Sequence, residues 1–357
     1  STYPDMVAVV GNTTWEVMKA KEALRLEWTL ADESSKASGL ENTKGHHELM
    51  REMESRPAET KRKDGNPEAA FAKASKIIER SYSCPFLAHN TMEPMNFYAD
   101  VTADKASLAG PVQTPEFMEK TVAARLGLPL EKVDIAMTRM GGGFGRRLYG
   151  HFLVEAAVIS KKVQAPVKLI YKREDDMTFG IYRPAYLATY RAALDENNKL
   201  IGFHVKAGGI PESPLFANRF PAGAIDNYLA EGWSAGSNIS VGAFRAPRSN
   251  FIAGAEQSFL DEVAEEMGKD PIDFRLELLD KARKEPVGEN NDYEAERYAG
   301  VLELVRDKSG WGSEQGNRHR GVSAYYCHNS YVAQILDMVV KDGSPVVDKV
   351  FCAIDCG

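Results

Sequence analysis

The chain has 357 residues, 43% of them hydrophobic, with 44 Lys and Arg set against 51 Asp and Glu. This composition excludes a collagen, a mucin-like stalk and a wholly disordered polymer, and a formal charge of −7 lacks the positive footprint of a general nucleic-acid binder. No apolar run approaches the ~20 residues that span a bilayer, while the length predicts two or more core-bearing units.

In chain order, Met6–Val10 reads as a strand. Thr13 and Glu16 form a capping box ahead of Val17, Ala20 and Leu24 at helical spacing, and Leu26–Trp28 reads as a second strand. Residues 1–30 are therefore expected to be the remnant of a preceding α/β domain. Residues 31–65 lose periodicity and read as a linker with one short helix around His46–Met53. The run His46-His47-Glu48 does not make a metal site there, because neighbouring helical positions diverge by about 100°. Asn66-Pro67 supplies an N-cap and first-turn proline for a helix through about Ser75. Apolar alternation at Ile77, Ile78 and Tyr82, then at Phe97, Ala99 and Val101, predicts paired strands flanking a loop with Cys84-Pro85 and Glu93-Pro94.

Farther on, Pro115–Leu126 is expected to be a helix stopped by Gly127, Val133–Met137 a strand and His151–Val163 a helix. Asp195-Glu196-Asn197-Asn198 is a hairpin signal. Phe251–Met267 is a helix whose stripe of Phe251, Ala255, Phe259 and Val263 belongs to a core, and Val346–Ile354 is a strand running into Asp355-Cys356-Gly357. Both ends read as cut from a longer chain. Helix and strand signals follow no strict βα repeat, so the expected fold class is α+β, mixed sheets with packed helices. One unit is expected over 66–200 and a second over 201–357. Cys84, Cys327, Cys352 and Cys356 contain no C-x-x-C pair, which removes an iron–sulfur or zinc ribbon and leaves free buried thiols as the expectation, with a disulfide as the alternative.

The most informative segment is Gly141-Gly142-Gly143-Phe144-Gly145-Arg146-Arg147, between the expected strand and helix. Four glycines in five positions let a polar group approach backbone N–H donors. The spacing fits neither G-x-G-x-x-G nor G-x-x-x-x-G-K-[ST]. The lone Phe144 suggests a wall against which a ligand rests.

This loop resembles the glycine-phenylalanine loop of the large, molybdenum-cofactor-binding subunits of the xanthine dehydrogenase family, and its two arginines resemble the isoquinoline 1-oxidoreductase and membrane-associated aldehyde dehydrogenase branch. Other segments are similar in the same order. They are His89-Asn90-Thr91-Met92-Glu93-Pro94, Val112-Gln113-Thr114-Pro115, Phe244-Arg245-Ala246-Pro247, Asp261 through Pro271 and Arg275, Gly321-Val322-Ser323-Ala324, and Val350–Gly357.

The resemblance implies a molybdenum–pterin cofactor, in bacterial members often the cytosine dinucleotide form, whose dithiolene sulfurs come from the pterin, so no protein ligand to the metal is expected. It implies oxidation of an N-heterocycle or an aldehyde with water as oxygen source, and electrons leaving to iron–sulfur clusters on a small partner subunit. Gly141, Gly142, Gly143, Phe144 and Gly145 are the expected cofactor contacts, with Gln113, Arg146 and Arg245 beside them; Arg146 or Arg147 is expected either at a phosphate or in a surface ion pair. His89 reads as a loop side chain bonded to backbone. Leu87 and Leu148 stand where purine-oxidising members carry substrate-binding Gln and Glu, which argues against xanthine. The arginine loop lacks the glycines of many relatives. The family's catalytic glutamate falls beyond Gly357, so no catalytic residue is assigned and this segment alone is expected to be inactive. A scaffold or interaction module with the same fold is the competing reading. Family members of this branch are often exported to the periplasm by a twin-arginine signal; a cytoplasmic location is the other expectation.

Overall fold

The computed structural model describes residues 6–27, 41–313 and 316–357. Its elements in chain order are helix α1 (Thr14–Ala23), α2 (Thr43–Ser55), strand β1 (Glu59–Asp64), α3 (Pro67–Ala72), β2 (Lys76–Cys84), β3 (Asn96–Val101), β4 (Ala106–Gly110), α4 (Pro115–Leu126), β5 (Val133–Met137), α5 (His151–Val163), β6 (Val167–Ile170) and α6 (Arg173–Thr178). There follow β7 (Ala185–Leu194), β8 (Leu200–Ile210), β9 (Tyr228–Ser234), α7 (Ser249–Glu266), α8 (Pro271–Lys284), α9 (Ala295–Ser309), β10 (His319–Cys327), β11 (Ser330–Lys341) and β12 (Ser344–Asp355).

Helix ends follow local chemistry. Thr13 and Glu16 close the capping box of α1, the Asn66 side chain accepts from the Ala69 N–H at the start of α3, and Gly127 ends α4 in the left-handed region at φ 70°. Residues 6–10, expected as a strand, are irregular. The strand expected at Leu26–Trp28 is irregular at Leu26 and Glu27, and Trp28 lies outside the described residues, as does the part of the expected linker over 31–40.

The chain forms two units. One takes the residues up to Gly45 with Ala88–Ile181; the other takes His46–Leu87 with Tyr182–Gly357. In the first, a sheet of order β5-β4-β3-β6 pairs β3 antiparallel to β4 and β6, and β4 parallel to β5. Phe97, Leu108 and Ile135 from the strands and Met118, Val122 and Phe152 from α4 and α5 form its core. In the second, a five-stranded sheet runs β1-β9-β8-β7-β2 and a three-stranded sheet runs β10-β11-β12. Aromatic contacts among Tyr190, Phe203 and Phe259 fasten α7 onto the larger sheet, and the stripe Phe251, Ala255, Phe259 and Val263 lies in the core as its spacing predicted.

Further expectations are corrected. β2 and β3 do not pair: β2 lies antiparallel to β7, whereas β3 belongs to the other unit's sheet. Alternation identifies a strand without identifying its neighbour. The boundary expected near 200 falls inside the β7–β8 hairpin, where the Asp195 carboxylate accepts from the N–H groups of Asn197 and Lys199, each at 2.9 Å. Strand pairing across this turn merges what 66–200 and 201–357 would separate, and β1 and α2 show that 31–65 is not only a linker. All four cysteines are free, but none is fully buried: Cys84 and Cys327 are half-buried, and Cys352 and Cys356 are exposed.

Candidate cofactor-binding site

The glycine-rich loop leaves β5 and reaches α5 through a sharp reversal. Gly142 and Gly145 take φ of 102° and 101°, and Phe144 takes 55°, so the chain twice enters backbone space that favours glycine. Phe144 bears the strain of the third such position and points its ring outward, 42% exposed.

Two side chains from outside the loop fix its shape. Glu93 exchanges hydrogen bonds with Gly141: its N–H donates to the Gly141 carbonyl at 3.1 Å, and its Oε2 accepts the Gly141 N–H at 2.7 Å. Its Oε1 accepts from Asn96 at 2.8 Å. The Gln113 Oε1 accepts from the N–H groups of Gly145, at 3.1 Å, and Arg147, at 3.3 Å. A Cβ on Gly143 would lie 2.5 Å from that Gln113 oxygen, and one on Gly141 2.6 Å from the Glu93 Cβ. These glycines are therefore required first for the braces to close on the loop.

Arg147 is fully buried. Its guanidinium donates to the carbonyls of Gly142 at 2.9 Å and Glu93 at 2.8 Å, and to the Glu93 Oε2 at 3.2 Å. Partial burial alone would raise the Glu93 carboxyl, but the Gly141 N–H, Asn96 and the Arg147 charge together hold it below the usual carboxylate range. Arg146 is buried as well and turns the other way, donating to the Phe179 carbonyl at 3.0 Å, lying 3.0 Å from the His151 Nε2 and 3.6 Å from Asp176. The His151 imidazole, desolvated and beside that cation, is pushed down to about 3 and stays neutral. Deeper in α5, burial raises the Glu155 carboxyl to about 7, opposed by the Tyr171 hydroxyl, which donates to it at 2.5 Å.

The expected residues therefore separate. Gly141, Gly142, Gly143, Phe144, Gly145 and Gln113 form one assembly. Arg146 belongs to it as an inward strut, because its guanidinium is spent on protein groups. Neither arginine forms a surface ion pair. Arg245 lies in the other unit, where its side chain is exposed and its carbonyl accepts from Asn250 at 3.1 Å. That loop manages without glycine by placing Ala246 and Arg248 at φ of 55° and 62°, at a cost of about 1 kcal/mol each. His89 is buried. The bracing roles of Glu93, Arg147, His151 and Asp176 had no sequence signal beyond their neighbourhood, since nothing in an Arg-Arg doublet says which way either side chain turns.

Once the braces are counted, the N–H groups of Gly142, Gly143 and Phe144 have no acceptor among the described residues. Three consecutive donors on a glycine turn suit a group rich in acceptors. A pterin edge or a phosphate fits that donor set, and no side-chain cation is needed at the loop itself.

Residues 50–279 match the family model described as molybdopterin cofactor-binding domain, and the chain belongs to that family. Among curated proteins it is 28% identical to the "Membrane-bound aldehyde dehydrogenase [pyrroloquinoline-quinone]" of Gluconacetobacter polyoxogenes, covering 86% of this chain and 42% of that protein. It is 26% identical to isoquinoline 1-oxidoreductase subunit beta of Brevundimonas diminuta, covering 99% and 47%. The chain thus spans about half the length of these relatives. The fold is that of the aldehyde oxidoreductase of Desulfovibrio gigas, with TM-score 0.58 and 18% identity over 80% of this chain and 34% of that one. It is likewise that of quinoline 2-oxidoreductase of Pseudomonas putida 86, with TM-score 0.57 and 15% identity over 79% and 39%.

Proposed function

We propose that this chain is part of the large subunit of a molybdenum hydroxylase that oxidises an aldehyde or an N-heterocyclic aromatic, takes its oxygen from water and passes electrons to an iron–sulfur partner subunit. The observation that carries the reading is the donor turn at Gly142, Gly143 and Phe144, within a domain of the molybdopterin cofactor-binding family. When bound, the molybdenum–pterin group supplies the two-electron oxidation. The chain's own residues hold and shield it. The three N–H groups would donate to its acceptors, while Glu93, Gln113 and Arg147 brace the turn that carries them. The exposed Phe144 ring offers a flat apolar wall to a planar substrate. Glu93 and His151 are not assigned as proton acceptors, because the first is held ionised by its donors and the second is buried beside a cation.

An isoquinoline 1-oxidoreductase-like specificity belongs to the same proposal, supported by the apolar Leu148 beside the loop; so does a periplasmic location after twin-arginine export, which cell fractionation of the full-length subunit tests. The decisive experiment purifies that subunit with its partner, measures molybdenum and oxidised pterin, and follows dye reduction with benzaldehyde and with isoquinoline. Stoichiometric metal and pterin with substrate-dependent reduction are expected. Phe144→Ala should lower kcat/KM about tenfold, the scale of one lost aromatic contact, with metal content unchanged. Recovery of pyrroloquinoline quinone in place of pterin, or absence of molybdenum, would overturn the reading.

A further inference from the structure

We propose that the cavity between α7 and the five-stranded sheet is a binding site for one water molecule, held by the Glu256 carboxyl and the hydroxyls of Tyr190 and Tyr228. The site lies wholly in the second unit and does not depend on the cofactor reading.

Tyr190 of β7, Phe203 of β8 and Tyr228 of β9 line the cavity together with Ile252 and Glu256 of α7 and Tyr325 of β10. They leave about 10 Å³ in which the centre of a water molecule fits, which is room for one such molecule. Glu256, Tyr190 and Tyr228 are all buried.

Glu256 stands at the end of a polar chain that runs through the core. Arg275 Nη1 lies 2.7 Å from Asp261, and the Arg275 Nε and the Ala324 N–H both donate to the Gln257 Oε1 at 3.0 Å. Two donors on that oxygen fix the orientation of the Gln257 amide. Its Nε2 is therefore the donor to the Glu256 Oε1, at 3.1 Å. There the chain of protein groups stops. The second Glu256 oxygen and the hydroxyls of Tyr190 and Tyr228 have no hydrogen-bond partner among the described residues.

The ionisable groups around the carboxyl are Arg275 from α8, Arg219 from the segment after β8, Tyr190, Tyr228 and Tyr325 from β7, β9 and β10, and Tyr293 and Tyr298 from the start of α9. Burial outweighs Gln257 and the two arginines and raises the Glu256 carboxyl to about 8, so at pH 7 it carries its proton. A neutral carboxyl and two phenols in an apolar surround are costly without partners. Water accepts the carboxyl proton on its oxygen and offers two hydrogens to the phenol oxygens, which meets the two to four polar partners that a buried water needs. An apolar ligand satisfies none of these groups, and a larger polar one does not fit. The bound water ties α7 to β7 and β9, carrying the polar chain from Asp261 into the sheet.

A high-resolution crystal structure of the whole chain is the first test: one ordered water is expected within hydrogen-bond distance of Glu256 and of at least one of the two phenols. The second is oxygen-17 relaxation dispersion of the solvent, which counts long-lived internal waters. Glu256→Gln keeps a donor and an acceptor and should leave the count unchanged. Glu256→Leu, and the double variant Tyr190→Phe with Tyr228→Phe, should each lose one water, with near-UV circular dichroism confirming that the variants are folded. Density with no water bonded to Glu256 in the unaltered chain, or an unchanged count in a folded Glu256→Leu chain, would sink the idea.

Discussion

Gly143 has room for hydrogen and nothing larger, because a Cβ would sit 2.5 Å from the Gln113 Oε1. Gly143→Ala should therefore cost about 1–3 kcal/mol, the range for overpacking a closed site, measured by denaturant unfolding. If the clash with Gln113 is the cause, the same substitution made in Gln113→Ala should cost at least about 1 kcal/mol less. Glu155 offers a test by pH. Its folded carboxyl is raised by burial from 4.5 to about 7, so the folded chain holds this proton more tightly than the unfolded one. The stabilisation from protonation is complete below pH 4.5 and is lost as pH rises through 7, a swing of roughly 3 kcal/mol for a shift of this size. Glu155→Gln should flatten that slope in unfolding measured between pH 5 and 8. At this scale the sequence made the glycines and Phe144 legible, since so dense a glycine turn has few uses. It did not disclose that Gly141 and Gly143 serve Glu93 and Gln113 directly, because those partners come from segments 48 and 30 residues away.

Among elements, helices were the more readable because their ends carry local chemistry. α5 begins and ends where its apolar spacing put it, and α8 starts at Asp270-Pro271. Asp270 does more than cap. One oxygen accepts from the N–H groups of Ile272 and Asp273, and the other accepts from the Trp311 Nε1 at 2.6 Å. Asp270→Ala should lower stability by about 2 kcal/mol, the upper range for a lost N-cap, and Asp270→Asn by less; both are read from denaturant midpoints. Strands were readable as strands and not as neighbours. Ile78 and Phe97 both carry the expected inward alternation, yet they face the cores of different units, because period-two burial is satisfied by any apolar surface of the right size.

For the whole molecule, the order of the chain matters more than its length. The second unit is interrupted after Leu87 and resumes at Tyr182, and Leu87 and Arg183 are joined by reciprocal backbone hydrogen bonds of 3.4 and 2.9 Å. The sheet and core of the intervening unit lie between Met95 and Tyr171. Residues 88–181 expressed alone should therefore melt cooperatively by near-UV circular dichroism, whereas 66–200 should carry β2 and β7 without the rest of their sheet and show an added non-cooperative component.

The reciprocal bridge at Leu87 and Arg183 also sets a timetable. On the ribosome β2 emerges on the order of a hundred residues before β7, its partner, which at about 5–20 residues per second is a wait of roughly 5–20 s. Throughout that interval β2 is an open edge, and along it Lys76, Glu79 and Arg80 are exposed. Charges on a waiting edge discourage pairing with the wrong strand; here they guard a seam that stays open until the intervening segment has been made.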